Sequence, residues 1–305
     1  MSNRRLIPTG LASVVFLVAL AAAACTGAGT TPIPKTGSTT APSTTPSPAI
    51  EGIAHPTGAD EIILRFDESG GMMMAEWFAA HAPQFTLYGD GTTVFASTLE
   101  TAPPSADGAM VNAPFRTAKL TEQQIQTLLE FALADGGLGI ARAEYQNPLV
   151  ADAPTAVFTI NADGGSKTVS VMALGMEDQQ PNADTAIKNA LAGLGSRLRE
   201  FDAGGSLGSE PFAPAGYRGV LTQAEGLQGV TFRDWPWADL TPADFALPAN
   251  ASAVPQGQRT LTPQQADAVG VKHFEGGIGG GVYLRDAAGK TYTFALRPLL
   301  PDETE

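Results

Sequence analysis

Hydrophobic residues in this chain are grouped into short β-rich runs separated by turn residues. Such runs predict hairpins over residues 84–97, around Gly89-Asp90-Gly91, and over residues 155–174, around the turn NADGGS. A further run, EIILRF (61–66), predicts a strand that ends at Ser69-Gly70-Gly71. These elements predict an antiparallel sheet built from hairpins.

Two other segments, residues 119–139 and 183–201, have apolar residues spaced three and four positions apart, which is typical of amphipathic helices. Thr121 and Gln124 have the spacing of a capping box at the start of the first helix. The residues predicted to face the core are Ile125, Leu128, Leu129 and Ala132 in the first helix, and Ile187, Leu191, Leu194 and Leu198 in the second.

The order of these elements predicts an α+β fold with two small domains. Residues 58–203 read as strand, hairpin, helix, hairpin and helix, which predicts an antiparallel sheet with helices packed on one face. Residues 204–211 break the pattern and predict a linker. Residues 212–305 predict a smaller α+β domain, with a short helix at 260–270 and a hairpin at 280–301.

The amino-terminal segment, residues 1–24, has the three parts of a secretory signal peptide. Arg4 and Arg5 supply the positive start, and residues 11–24 form an apolar run that ends in small residues. A membrane-spanning helix needs about 20 apolar residues, so this run is too short to serve as one. The sequence therefore predicts export from the cytoplasm.

Cys25, the only cysteine in the chain, follows the signal directly. The stretch LAAAAC (20–25) resembles the lipobox of bacterial lipoproteins, which implies that Cys25 carries acyl chains such as palmitate and faces the extracytoplasmic side of the cell membrane. The Thr-, Ser- and Pro-rich residues 25–57 predict a lipid-anchored linker. Lipidation would leave no thiol for a disulfide or a metal. The alternative is a plain secreted protein with an incidental cysteine.

Charge excludes one class of partner. The chain has 18 basic and 31 acidic side chains and a formal net charge of −13. Such a field repels phosphate backbones, so we expect no nucleic-acid partner. Anionic headgroups are also a poor match, which makes membrane attachment depend on the lipid of Cys25. A protein or glycan partner on the cell surface remains open.

Two short stretches, PQFTLYGDGTTVF (83–95) and YTFALRPLLPDE (292–303), are the most distinctive of the exported part. With them, the chain resembles uncharacterised bacterial surface lipoproteins. That resemblance brings no catalytic assignment with it, and we expect a non-catalytic binding or cell-envelope accessory module. A topological similarity to small proteinaceous metalloprotease inhibitors adds an inhibitor-like module as an alternative.

The stretch GGSLG (204–208) fits the nucleophile pattern G-x-S-x-G, with Ser206 as the nucleophile. Asp234 or Asp239, and then His273, follow in the order found in α/β-hydrolases. This leaves a surface serine hydrolase that uses Ser206 and His273 as an alternative function. However, the motif follows a helix, whereas the chemistry needs a strand-to-helix turn. We therefore predict that no residue is catalytic and that Ser206 lies in a linker.

Potential metal ligands are scattered. His55, His81 and His273 lack the close spacing of paired ligands, and the sulfurs of Met72-Met73-Met74 would point in different directions. We expect neither a metal nor another cofactor. The run GGIGGG (276–281) lacks the features of a phosphate-binding loop and predicts a turn with free backbone conformation.

Trp235 and Trp237 are the candidate ligand-binding residues. They lie with Phe232 and Phe245 in FRDWPWADLTPADF (232–245), where aromatic residues flanked by acids could form a platform for a carbohydrate or a peptide. The alternative that we favour is that both tryptophans fill the core of the second domain.

Overall fold

The structure is a computed structural model, and it describes residues 52–72, 80–104, 108–147, 150–176, 181–203, 207–247 and 256–303. The span Ile50–Glu305 forms one compact unit. No helix within the described ranges combines the length and the apolar character needed to cross a bilayer.

The described part of the chain contains fourteen strands and three α-helices. The strands are β1 (Ile62–Gly70), β2 (Phe85–Tyr88), β3 (Thr92–Ala96), β4 (Met110–Val111), β5 (Phe115–Lys119), β6 (Glu144–Tyr145), β7 (Pro154–Ala162), β8 (Gly165–Met172), β9 (Glu210–Pro211), β10 (Tyr217–Gln223), β11 (Arg233–Asp234), β12 (Gly257–Leu261), β13 (Ile278–Arg285) and β14 (Thr291–Pro298). The helices are α1 (Glu122–Leu133), α2 (Thr185–Arg199) and α3 (Pro263–Asp267), with 3-10 turns at Pro242–Asp244 and Phe274–Gly276.

Sheet A has the strand order β6-β8-β7-β1-β2-β3-β5-β9, and every pairing is antiparallel except β6 with β8. Helices α1 and α2 cover one face of it. Phe66, Phe85 and Phe158 on that face are buried against the apolar sides of both helices. The main core therefore lies between sheet A and its two helices.

Sheet B has the order β11-β13-β14-β10-β12, and β4 pairs with β13 beside this path. Its core face carries Leu221, Phe294 and Leu296, which pack against Trp237 and against Ala266 of α3. Mostly antiparallel sheets with few helices confirm the predicted α+β class.

Local sequence signals identified most of the larger elements. The predicted hairpins are β2–β3, β7–β8 and β13–β14, and the three predicted helices are α1, α2 and α3. The capping box is present: the Thr121 side chain accepts a hydrogen bond from the Gln124 backbone N–H, and Gln124 caps the Thr121 backbone in return.

The run GGIGGG differs from its prediction as a turn, because most of it lies within β13, against the backbone of β4 and its neighbours. A Cβ atom on Gly276 would overlap the carbonyl oxygen of Ala113, and one on Gly281 would overlap that of Gly108. The glycines are thus needed because another strand passes too close for any side chain.

The two sheets do not divide cleanly at residues 204–211. Strand β4 comes from the first predicted domain but pairs in sheet B, and the carboxy-terminal residues 299–303 contact sheet A. Within the predicted linker, β9 pairs with β5 of sheet A. The division into two independent domains stays a prediction.

Residues 52–57, predicted as the end of the lipid-anchored linker, lie on the folded unit. Ile53 N–H donates to Gln126 Oε1 at 2.7 Å, and Gln126 Nε2 donates back to the Ile53 carbonyl at 3.0 Å. The Asp163 N–H donates to the Ala54 carbonyl at 2.7 Å. The chain therefore enters the fold beside α1.

Candidate functional site

A cavity of about 480 Å³ lies beside the carboxy-terminal segment, residues 299–303. Its walls come from the loop 212–216, from Thr260 of β12 and from that segment. The Leu299 N–H donates to the Gly216 carbonyl at 3.0 Å, which joins the loop to the segment. Most of the wall is apolar. Cavities of this volume are typical of small-ligand sites.

One side of the cavity is held in place by Asp302. Its carboxylate accepts hydrogen bonds from Arg65 Nη2 and from Tyr88 Oη, both at 2.6 Å. Burial raises the pKa of Asp302, but the hydrogen bonds from Arg65 and Tyr88 and the charge of Arg65 outweigh it, so this pKa lies below its ordinary value. The carboxy-terminal segment is thereby bound to β1 and β2.

The neighbouring acid, Glu303, forms a bidentate ion pair with Arg297 of β14. The Arg297 Nη1 and Nη2 atoms lie 2.6 and 2.7 Å from the two carboxylate oxygens. The backbone N–H of Leu300 also donates to this carboxylate, at 2.8 Å. Glu303 therefore lines the cavity with its charge already compensated.

Arg218 of β10 lies directly opposite Arg297 on β14 and directly opposite Thr260 on β12. Because Tyr217 belongs to the core face of sheet B, alternation places Arg218 on the other face. The residue is half-buried, and its Nε is buried with no hydrogen-bond partner. Across the described residues, its side chain forms no hydrogen bond, ion pair or ring contact.

This lack of a partner sets Arg218 apart from the other described arginines, each of which contacts a carboxylate, a backbone oxygen or an aromatic ring. Five of them in the described ranges pair with a carboxylate: Arg65 with Asp302, Arg116 with Glu100, Arg142 with Asp184, Arg199 with Glu68 and Arg297 with Glu303. The site thus combines an apolar cavity with a neighbouring cation whose hydrogen-bonding capacity is unused. Such an arrangement can bind a molecule with an apolar body and a negatively charged end.

Of the two tryptophans predicted as ligand candidates, Trp237 lies in the core of sheet B, and Trp235 is partly buried and packs against that core. Trp237 is 5% exposed, and the rings of Trp235 and Trp237 meet edge to face with centroids 5.0 Å apart. The Trp235 indole N–H donates to the Leu240 carbonyl at 2.7 Å, and that of Trp237 to the Gln265 carbonyl at 2.8 Å. Both polar groups are therefore used inside the protein.

Only some residues of the hydrolase alternative lie within the described ranges. Ser206 lies outside the described residues, as does Cys25. His273 is exposed, has a positive φ of 59° and directly precedes the 3-10 turn Phe274–Gly276. Asp234 is an exposed residue of β11. The pairing of Ser206 with His273 thus stays a prediction.

The two remaining histidines each contact a different carboxylate. His55 Nε2 lies 3.1 Å from Glu122 Oε1, and His81 Nε2 lies 2.5 Å from Asp67 Oδ1. Met72 is exposed, and residues 73 and 74 are outside the described ranges. The described residues contain no group of three or more His, Cys, Asp or Glu side chains able to hold a metal ion.

Comparison with protein-family models, curated proteins and solved structures gives no match. The cavity and Arg218 were not predicted from the sequence, although one part of the site gave a signal. The stretch RPLLPDE is distinctive in the sequence, and it supplies Arg297, Asp302 and Glu303. Nothing local to Arg218 indicates that its side chain lacks a partner.

Proposed function

We propose that this protein is a lipid-anchored, non-catalytic binding module on the extracytoplasmic side of the cell membrane. The anchor follows from the order of signal peptide, Cys25 and Thr/Ser/Pro-rich linker. The compact unit begins at Ile50, after most of that linker. This order of parts supports a folded unit displayed at the end of a tether.

The observation that carries the binding role is the cavity of about 480 Å³ beside the unpartnered Arg218. An apolar wall provides contact area, and a few polar groups at its edge provide orientation and specificity. A lipid anchor holds a protein at the membrane surface without electrostatic attraction to the lipid headgroups. The acidic surface instead keeps the displayed unit soluble.

Metabolic labelling with radioactive palmitate in the native host tests the anchor. The wild-type chain should take up label, and Cys25→Ala should not, because stable attachment requires acyl chains on this thiol. Immunoblotting must show both proteins at similar levels. Labelling is preferable to membrane fractionation, since an uncleaved signal could still hold the variant at the membrane. Equal labelling of both proteins, or none of the wild type, would contradict the proposal.

A further inference from the structure

We infer that the cavity binds a small amphipathic carboxylic acid, whose carboxylate pairs with Arg218 while its apolar body lies against residues 212–216 and 299–301. The inference rests on the proposed binding function and names the class of ligand.

The charge environment of Arg218 favours an external anion. A half-buried guanidinium without a partner is costly. Arg297 is compensated by Glu303, whereas Arg218 has no acidic partner among the described residues. Although the chain has an excess of 13 acidic side chains, no described one pairs with Arg218, and a bound carboxylate would supply that partner.

The strand register links the cation to the cavity. Thr260 lies directly opposite Arg218 on β12 and is also part of the cavity wall. Gly216, two residues before Arg218, lines the same wall. A carboxylate held by the planar Arg218 guanidinium can therefore have its apolar end in the cavity, because Thr260 both faces Arg218 across the strand pair and lines the cavity.

The cavity wall favours an apolar body over a second charged group. Phe212, Leu299 and Pro301 supply apolar surface, and Glu303, the one carboxylate among the described wall residues, is paired with Arg297. A simple inorganic anion would satisfy Arg218 but leave this surface in water. The combination therefore points to an organic acid.

Calorimetric titration tests the assignment with decanoate, decanol and inorganic phosphate as probes. The protein is the full mature chain with Cys25→Ser, which needs no detergent, so the probes do not partition into micelles. Decanoate should bind more tightly than decanol. Arg218→Gln should weaken decanoate binding about tenfold or more and leave decanol binding unchanged, because it removes a charge-assisted hydrogen bond only.

Two further variants separate a binding role from a folding role. Arg218→Lys keeps the charge and should retain part of the preference for decanoate. Arg285→Gln, at the far end of β13 where the guanidinium lies over the Phe232 ring, is the matched control and should bind decanoate like wild type. In the absence of ligand, Arg218→Gln should melt at the wild-type temperature or above it, because it removes an unpaired charge.

The outcomes are distinct. Equal affinity of the wild type for decanoate and decanol, or equal loss in Arg285→Gln and Arg218→Gln, would overturn the inference. Phosphate binding as tight as that of decanoate would show a simple oxyanion site and overturn the amphipathic ligand class. None of these results affects palmitate labelling of Cys25, which tests the anchor separately.

Discussion

Asp302→Asn removes the charge that binds the carboxy-terminal segment to sheet A. The carboxylate accepts from Arg65 and Tyr88 at 2.6 Å each, and the Arg65 and Asp302 side chains are 20% and 16% exposed. Asparagine keeps the shape but leaves the Arg65 guanidinium without its ion pair. A hydrogen bond to a charged group contributes about 1.5–3 kcal/mol. With partial exposure reducing the effect, we expect a loss of about 2 kcal/mol in the free energy of unfolding.

That loss corresponds to a melting temperature lower by about 4–8 °C in a domain of this size. The pKa of Asp302 is lower in the folded protein than its ordinary value. The stabilisation is therefore fully present above the unfolded-state pKa and is lost as the pH falls through the folded-state pKa. The difference between wild type and Asp302→Asn should be largest at neutral pH and disappear in acid.

Urea unfolding of the protein at a series of pH values, followed by circular dichroism, measures both effects. Glu130→Gln, an exposed position of α1, is the control and should change the free energy of unfolding by less than about 0.5 kcal/mol. If Asp302→Asn costs no more than this control at neutral pH, or if its cost is the same in acid, then the assigned role of Asp302 is wrong.

Three further predictions concern local features. Gly276→Ala should lower the free energy of unfolding by at least about 2 kcal/mol in urea titrations, because the new Cβ overlaps the Ala113 carbonyl oxygen. Gly193→Ala in α2, where no atom lies near the new Cβ, should instead be neutral or stabilising. Thr121→Ala should cost about 1 kcal/mol through loss of the capping box, in contrast to a smaller effect of Thr127→Ala on the exposed side of α1; equal effects would refute the cap. Burial and the nearby charge of Glu275 raise the pKa of Tyr217 to about 12. The neutral phenol therefore contributes its full stabilisation below the ordinary tyrosine pKa, and this contribution is lost as the pH rises towards the folded-state pKa. In alkaline unfolding curves, Tyr217→Phe should lose stability less steeply with pH than the wild type.

Much of the fold could be predicted because its signals are local. The Gly89-Asp90-Gly91 turn of β2–β3 and the Thr121–Gln124 capping box each depend on residues within a few positions of one another. The burial of Trp237 also follows from the residue type, since a large aromatic ring among other aromatics is most stable away from water.

The short strands β4, β6, β9 and β11 could not be predicted in this way. Each has two residues, which is too few for a periodic pattern, and each exists because a distant strand offers unpaired backbone groups. The run GGIGGG shows the same limit. Its composition is visible in the sequence, but the requirement for glycine arises from the close approach of residues 108–113.

The candidate site depends on tertiary structure for a similar reason. The sequence alone determined the single cysteine and the acidic charge, because these are properties of the chain itself, and it predicts the export signal from residues 1–24. Only the fold brings Asp302 to Arg65 across 237 positions and places Arg218 opposite Arg297, with no acidic partner in the described part of the chain. Whether a charge is paired is decided by the neighbours that strand register places around it, and register is a long-range property.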